Sequence, residues 1–198
     1  MNYIESQFSN PRGFIGHMVG LIMAYENRSR NQWAISLLNI QPADRILEIG
    51  FGPGWAIRQA SKLATLGLVA GVDSSATMVK QAGIRNRAKV KSGQAILRHS
   101  SAVNIPFEDN AFDKVYAVNS FHEWNDSQRG IKEARRVLVP GGSFLIIEHP
   151  HGNVTEASIA KVGEQIQGQL VEGGFESVQV VFNSIHGRMA VGVQGVKA

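Results

Sequence analysis

The sequence has no cysteine among its 198 residues. That absence excludes disulfides, thiolate metal ligands and a cysteine nucleophile together. Long apolar runs are missing too: the most apolar early stretch, Phe14 to Tyr25, contains His17 and is shorter than the ~20 residues of a membrane span. Residues Met1 to Glu5 lack the basic start and apolar core of a signal peptide. We therefore expect a cytoplasmic protein without membrane insertion.

The net charge of the chain is modest. Charged residues make up 18% of the chain, and the net charge is +4. The basic residues gather only in an alternating run, Arg85, Arg87, Lys89 and Lys91, without interleaved aromatic residues. Nucleic-acid surfaces more often carry a denser basic patch with aromatic residues between the charges. We interpret the run as a solvated face and do not expect a nucleic-acid partner.

What the sequence does contain is an alternation of short β-branched runs and helical patterns. Such alternation is typical of βαβ units, in which helices cover both faces of a parallel sheet. The predicted strands of this part are Arg45 to Ile49, Leu68 to Val72, Ala95 to Arg98, Lys114 to Val118 and Ser143 to Glu148. The predicted helices are Trp55 to Ala64, Ser75 to Arg85, Ser127 to Leu138 and Thr155 to Glu172.

The end of the chain has a different pattern. Two strand-like runs, Val178 to Asn183 and Arg188 to Gln194, are joined by a short link that contains Gly187. This arrangement predicts a hairpin and hence an antiparallel edge. The whole pattern predicts an α/β fold: a doubly wound, Rossmann-like, mostly parallel seven-stranded sheet with an antiparallel C-terminal hairpin.

Two helical segments precede the first strand, near Phe14 to Tyr25 and near Arg30 to Ile40, and Pro42 ends the second. The apolar residues of the first segment recur on one helical face. That face either packs on the core or caps the mouth of a ligand crevice. We predict a single domain over residues 1–198, with a helical cover over 1–43 and the α/β core over 44–198.

The stretch from Arg45 to Gly54 is a buried strand that runs into a glycine-rich turn and then a helix. Gly50 and Gly52 let the backbone turn sharply and approach a ligand, and the amides of the helix N-terminus attract an anionic group. A dinucleotide fingerprint would have glycine where this chain has Trp55, and a P-loop would have Gly-Lys-Ser/Thr. About 20 residues further on, Asp73 follows the second strand, where such folds place a ribose, with helix capping as the alternative role.

Four stretches follow one another in a specific order. They are Leu-Glu-Ile-Gly-Phe-Gly-Pro-Gly, Gly-Val-Asp-Ser with Met78 after it, Ile105 to Asp113, and Arg136 to Gly142. Their order and spacing resemble the class I S-adenosylmethionine-dependent methyltransferases over about Arg45 to Ala198, particularly the small-molecule group that includes the ubiquinone-biosynthesis methyltransferases. The resemblance implies S-adenosylmethionine as cofactor, S-adenosylhomocysteine as product and a small-molecule acceptor.

The resemblance also implies which residues hold the cofactor. Glu48 and the glycine turn would hold the methionine part, Asp73 the ribose hydroxyls, and the residues around Ser101 and Ala102 the adenine. Asn119 matches the position where the family turns its backbone toward the methionine end. The family often has an acid at the position of Ser101, so we expect backbone and apolar contacts to hold the adenine here. The full predicted set is Glu48, Gly50, Phe51, Gly52, Gly54, Asp73, Ser74, Met78, Ser101, Ala102 and Asn119.

Two histidines follow strands at the edge where open α/β sheets bind ligands. His122 follows the fourth strand and His149 the fifth, and an imidazole there accepts a proton near neutral pH. Helix capping or core burial is the alternative role of His122. We do not predict a metal site from Glu148, His149 and His151, because neighbours on a strand point to opposite faces. A base is not essential, since aligning the acceptor for in-line displacement supplies about 7–11 kcal/mol.

Other functions stay open on the same fold. The basic balance is compatible with an RNA or protein acceptor, and a fold alone does not exclude a non-catalytic cofactor-binding protein. A short-chain dehydrogenase is disfavoured, because no tyrosine is followed by lysine four residues later. Phe121, Trp124 and Tyr25 either line an apolar acceptor pocket or pack against the cover helices. The sequence leaves the oligomeric state open.

Overall fold

The structure is a computed structural model that describes residues 28–149 and 155–198. The predicted first helix, Phe14 to Tyr25, lies outside the described residues, as does His151. The predicted division into cover and core therefore stays a prediction. No helix in the described part of the chain is long and apolar enough to cross a membrane.

A seven-stranded sheet forms the centre of the described structure. Its strands are β1 (Arg45–Ile49), β2 (Leu68–Asp73), β3 (Ala95–His99), β4 (Phe112–Val118), β5 (Leu138–Glu148), β6 (Phe175–Ile185) and β7 (Arg188–Lys197). Their order is β3-β2-β1-β4-β5-β7-β6, with β7 antiparallel to both of its neighbours and the other pairs parallel. The predicted doubly wound fold with its C-terminal hairpin is confirmed. The order reverses between β1 and β4, which places a ligand crevice at the carboxyl ends of these two strands.

The described helices other than the short α4 agree with the prediction to within two residues at each end. They are α1 (Arg28–Leu38), α2 (Trp55–Leu63), α3 (Ala76–Arg85), α4 (Arg87–Lys91), α5 (Ser127–Val137) and α6 (Glu156–Glu172), with a 3-10 turn at Phe121–Glu123. Side chains of Ser75, Asp126 and Thr155 accept first-turn amides and so fix the starts of α3, α5 and α6. The short helix α4 was not predicted.

Helix α1 is the described part of the predicted cover. It packs on α2 and buries Ala34 and Leu38 in an apolar cluster that also contains Ile46, Ile57 and Tyr116. Because this cluster joins α1 to β1 and β4, α1 is anchored to the strands that border the crevice.

Strand β5 begins earlier than predicted. The sequence predicts a strand from Ser143, whereas β5 starts at Leu138 and includes Pro140–Gly142. Leu138 already pairs with Phe112, and regular pairing resumes at Ser143. Gly141 has a φ of +78°, a conformation that glycine adopts without a steric penalty. Because Leu138 and Ser143 both pair with β4, the residues between them stay in the strand although their residue types favour a turn.

Candidate functional site

The glycine turn at the end of β1 is packed at both ends and open in the middle. A Cβ on Gly50 would lie 2.4 Å from the Ser120 Cβ, and one on Gly54 would lie 2.6 Å from the Ala82 Cβ. Gly50 and Gly54 also have φ values of +76° and +80°. At Gly52 no atom lies within 4 Å of the Cβ position. The turn therefore leaves space for a ligand at Gly52, as the fit of a nucleoside cofactor requires.

Asp73 holds this open part of the turn. Its Oδ2 accepts the Gly52 N–H at 2.7 Å, and its Oδ1 accepts the Ser75 N–H at 2.8 Å. Burial raises the pKa of Asp73, and the two hydrogen bonds oppose that rise. A carboxylate has about four acceptor positions, so Asp73 keeps the capacity to accept ligand hydroxyls. Its predicted ribose contact fits this geometry and stays a prediction.

Glu48 lies beneath the turn and is only 2% exposed. Its Oε2 accepts the Tyr116 hydroxyl at 2.9 Å, and the two residues are register partners on β1 and β4. The backbone N–H of Ile57, in the first turn of α2, lowers the pKa of this carboxyl group and so opposes the larger effect of burial; the N-cap of α2, Gly54, has no side chain. Glu48 therefore lies close to the start of α2. Its predicted contact with the methionine part of the cofactor stays a prediction.

Burial of Glu48 makes the stability of the protein depend on pH. Burial raises the pKa of Glu48 from 4.5 to about 8, so its contribution to stability is full below pH 4.5 and is lost as the pH rises through about 8. Relative to Glu48→Gln, we expect the wild-type unfolding free energy to fall by up to about 1.4 kcal/mol per pH unit between these limits. Urea denaturation of the wild type and of Glu48→Gln over pH 5–8.5 measures this fall in unfolding free energy. The control is Glu176→Gln, because Glu176 is exposed on β6. If the difference in unfolding free energy between the wild type and Glu48→Gln did not change with pH, the prediction would be contradicted.

The end of α3 supports the glycine turn from the other side. The Arg85 guanidinium donates through Nη1 to the Pro53 carbonyl. Asn86 donates through Nδ2 to the carbonyl of Gly54 at 3.0 Å and to that of Ala82 at 2.9 Å. The interpretation of the basic run as a solvated face is therefore wrong for Arg85, because helix α3 turns that side chain back onto the turn. The rest of the run lies on α4, which buries no residue.

Two of the predicted cofactor residues direct their side chains into the protein. The ring of Phe51 lies 2.5 Å from the Cβ position of Gly71 in β2, which only a glycine allows. The Met78 side chain is 2% exposed. Only the backbones of Phe51 and Met78 are therefore in a position to contact a ligand without rearrangement.

The remaining predicted cofactor residues follow β2, β3 and β4. Ser74 is exposed and Ser101 is half-buried. Ala102 is 8% exposed and belongs to the main apolar cluster. Asn119 has a φ of +50° and donates its N–H to the Ile147 carbonyl of β5 at 2.8 Å, which fixes the backbone just after β4. All four thus follow strand ends at the carboxyl edge of the sheet.

A cavity of about 640 Å³ opens beside the ends of β4 and β5. Its volume lies in the range of small-molecule sites, roughly 300–1,000 Å³. The lining residues come from the 3-10 turn, the end of β5 and the inner face of α6: Phe121, His122, Glu148, His149, Val162, Gln165, Ile166 and Gln169. Both predicted histidines therefore border the same space.

His122 is oriented by a carboxylate that the sequence had suggested only as part of a rejected metal site. Glu148 is 5% exposed and accepts the Phe121 N–H at 2.9 Å and the Nδ1–H of His122 at 2.8 Å. Since Nδ1 donates to Glu148, the second ring nitrogen, Nε2, is the one that exchanges a proton; it lies 3.4 Å from the Glu123 carboxylate. The hydrogen bond to Glu148 raises the pKa of His122 above its ordinary value.

His149 and Trp124, the other ring-bearing candidates near the cavity, both make contacts inside the protein. His149 is 3% exposed, and its Nδ1 donates to the Met189 carbonyl of the hairpin at 2.7 Å. Trp124 packs on Phe121 and Phe144, with ring centroids 4.9 and 6.4 Å apart, so it supports the cavity wall. Within the described residues, no group of three or more His, Asp or Glu is placed to hold a metal ion.

Comparison with known proteins connects this site to one family. A family model described as a methyltransferase domain matches residues 47–146. The uncharacterized methyltransferase YdaC of Bacillus subtilis (strain 168) is 35% identical over 175 residues, which are 88% of this chain and 94% of that protein. The demethylmenaquinone methyltransferase of Staphylococcus epidermidis (strain ATCC 35984) is 27% identical over 146 residues, 73% of this chain and 59% of that protein.

The fold also matches solved structures. Phosphoethanolamine N-methyltransferase 2 of Haemonchus contortus, solved with phosphomonomethylethanolamine and S-adenosylhomocysteine, superposes with a TM-score of 0.75 at 18% identity. The match covers 100% of this chain and 60% of that one. The chain thus spans nearly the full length of YdaC and about three fifths of the other two proteins.

Proposed function

The chain belongs to the methyltransferase domain family and is an S-adenosylmethionine-dependent methyltransferase, and on that premise we propose that its acceptor is a small molecule bound in the cavity between β5 and α6. The observation that carries the proposal is the position of this cavity. It lies at the carboxyl ends of β4 and β5, next to the crevice, and the His122–Glu148 pair lines its wall. The Staphylococcus relative, named for demethylmenaquinone, supports a small acceptor.

Different residues of the chain bind the cofactor and the acceptor. When bound, S-adenosylmethionine supplies a methyl group already activated on a sulfonium centre. Asp73 and the open turn at Gly52 hold the cofactor. The cavity aligns the acceptor for in-line displacement. For an acceptor that must lose a proton, His122 accepts it at Nε2, and Glu148 keeps the imidazole in the required tautomer.

The cofactor site is tested by titration calorimetry with S-adenosylhomocysteine. We expect Asp73→Asn to bind about 10- to 100-fold more weakly than the wild type, because an uncharged amide replaces a charged acceptor worth about 1.5–3 kcal/mol. Asp109→Asn is the matched control, since its exposed side chain lies in a separate ion pair with Arg136. NAD should give no heat. Equal affinity in both variants, or binding of NAD instead, would contradict the assignment.

The acceptor is tested by incubating the enzyme with methyl-labelled cofactor and fractionated small-molecule extracts, with total RNA and protein as parallel substrates. Label in a small organic product supports the proposal. Label only in RNA or protein would overturn it. A variant with Val162→Trp, which fills the cavity from α6, is expected to lose most of the transfer and to keep S-adenosylhomocysteine affinity, because Val162 lines the cavity rather than the glycine turn.

A further inference from the structure

The chain that follows β3, residues 100–107, runs along the carboxyl edge of the sheet. At its start, the Ser100 N–H donates to the Asp73 carbonyl at 3.0 Å, which places this residue beside the end of β2. The Asn104 N–H then donates to the Ser101 carbonyl at 3.1 Å and closes a β-turn. The turn that contains Ser101 therefore lies next to the Asp73 side of the crevice.

The far end of this segment is held by two charged side chains of α5. Arg136 donates through Nη2 to the Ile105 carbonyl and through Nη1 to the Phe107 carbonyl, both at 2.8 Å. Glu133, one turn earlier, accepts the Ile105 N–H at 2.9 Å and the Nε–H of Arg136 at 2.8 Å. Together the two side chains satisfy both backbone polar groups of Ile105.

The middle of the segment packs on the same helix. Gly130, Glu133 and Arg136 recur every third residue, so each is a neighbour of the next on the surface of α5. The Cβ position of Gly130 lies 3.4 Å from the Cβ of Ala102. Helix α5 therefore supports the segment from Ala102 to its far end.

The contact between the two charged groups makes this support specific in direction. The Glu133 carboxylate accepts from both Nε and Nη2 of Arg136, which fixes the plane of the guanidinium. Their hydrogen bond lowers the pKa of Glu133 and raises that of Arg136, so both stay charged near neutral pH. Asp109 also accepts from Nη1, but its side chain is 69% exposed, and such a pair contributes little.

We propose that Glu133 and Arg136 are positioning residues for cofactor binding, which hold residues 100–107 in the conformation that receives the adenine ring. This role rests on the adenine contact predicted for Ser101 and Ala102. A binding segment that is already ordered loses little conformational freedom when its ligand binds. Neither charged residue lines the acceptor cavity, so we expect them to affect cofactor affinity and not the transfer step.

The first experiment is titration calorimetry of Arg136→Gln with S-adenosylhomocysteine. We expect about tenfold weaker binding than in the wild type, which corresponds to ordering about one backbone residue on binding. Arg136→Lys keeps the charge but loses the planar fork, so it should recover only part of the affinity. Should Arg136→Gln fail to fold, Glu133→Gln tests the same contact, because it keeps an acceptor for the Ile105 N–H and removes the charge that orients the guanidinium.

Two variants serve as controls for this titration. Asp109→Asn removes only the exposed ion pair of Arg136 and should bind as the wild type does. Lys114→Gln breaks the 2.6 Å ion pair with Asp44 near the amino ends of β4 and β1. It should lower stability without changing affinity, because that ion pair lies at the opposite edge of the sheet from the crevice.

Hydrogen exchange of the same proteins distinguishes positioning from a general loss of stability. In free Arg136→Gln, the backbone amides of residues 100–107 should exchange faster than in the wild type, and S-adenosylhomocysteine should slow them again. Amides of the central strands should exchange at the wild-type rate. Faster exchange over the whole sheet would mean that Arg136 only stabilises the fold, and the proposed role would be wrong.

Kinetics give a second test once the labelling screen has identified the acceptor. We expect Arg136→Gln to raise the KM for S-adenosylmethionine about tenfold and to leave kcat within twofold of the wild type. If the wild type binds S-adenosylhomocysteine and Arg136→Gln binds it equally well, the positioning role is overturned and the cofactor site stands. A wild type that does not bind S-adenosylhomocysteine would overturn both.

Discussion

Replacing Gly50 with alanine is expected to lower the unfolding free energy by roughly 2–5 kcal/mol. Two effects combine at this position. The backbone has a φ of +76°, which costs a residue with a Cβ roughly 1–2 kcal/mol. The new Cβ would also lie 2.4 Å from the Cβ and 2.6 Å from the Oγ of Ser120. The Ser120 hydroxyl donates to the Ile49 carbonyl at 2.8 Å and therefore resists displacement. Urea denaturation followed by tryptophan fluorescence measures the loss.

Two variants separate these effects. Gly93→Ala introduces a Cβ at a φ of +78° with no atom within 4 Å, so it should show the backbone cost alone. Adding Ser120→Gly to Gly50→Ala removes the clashing atoms and should recover part of the lost stability. A Gly50→Ala protein as stable as Gly93→Ala would contradict the close approach of Ser120.

The glycine turn itself was predictable from the sequence. The sharp turn, its left-handed glycines and Asp73 belong to one strand–turn–helix–strand unit, and short-range steric rules govern them. The hairpin was predictable for the same reason, since His186 and Gly187 both have positive φ in a two-residue turn. The start of β5 was predicted too late, at Ser143, because the pairing of Leu138 with Phe112 of β4 extends the strand.

The supporting contacts of the site were not predictable in this way. Tyr116 reaches Glu48 across 68 residues, and Arg85 reaches Pro53 across 32. Each contact depends on the strand order or on the angle at which a helix returns to the sheet, and neither follows from local pattern. Once the order β1–β4 is known, however, the register that pairs Glu48 with Tyr116 puts both side chains on one face. Local sequence patterns therefore lack the strand order, which is what the prediction of these contacts requires.

Replacing His122 with glutamine is expected to lower kcat by about 10²- to 10⁴-fold for an acceptor that must lose a proton, the usual contribution of a general base. The assay uses the acceptor found in the labelling screen. His186→Gln is the matched control, because His186 is exposed in the β6–β7 turn, where it contacts Ser29. S-adenosylhomocysteine affinity should stay within about twofold in both variants, since neither residue contacts the glycine turn. Equal kcat in wild type and His122→Gln would remove His122 from the mechanism.

The pH dependence of the rate distinguishes a Glu148 that acts on His122 from a Glu148 that only stabilises the structure. His122 accepts a proton only when neutral, so the rate should rise with pH through the pKa of His122, which the hydrogen bond to Glu148 raises. Glu148→Gln keeps an acceptor for the Phe121 N–H but removes the negative charge, so the rising limb should move to lower pH while the plateau falls. A structural role would lower the plateau and leave the limb in place. Because Glu148 acts through His122, the double variant should be no slower than His122→Gln alone.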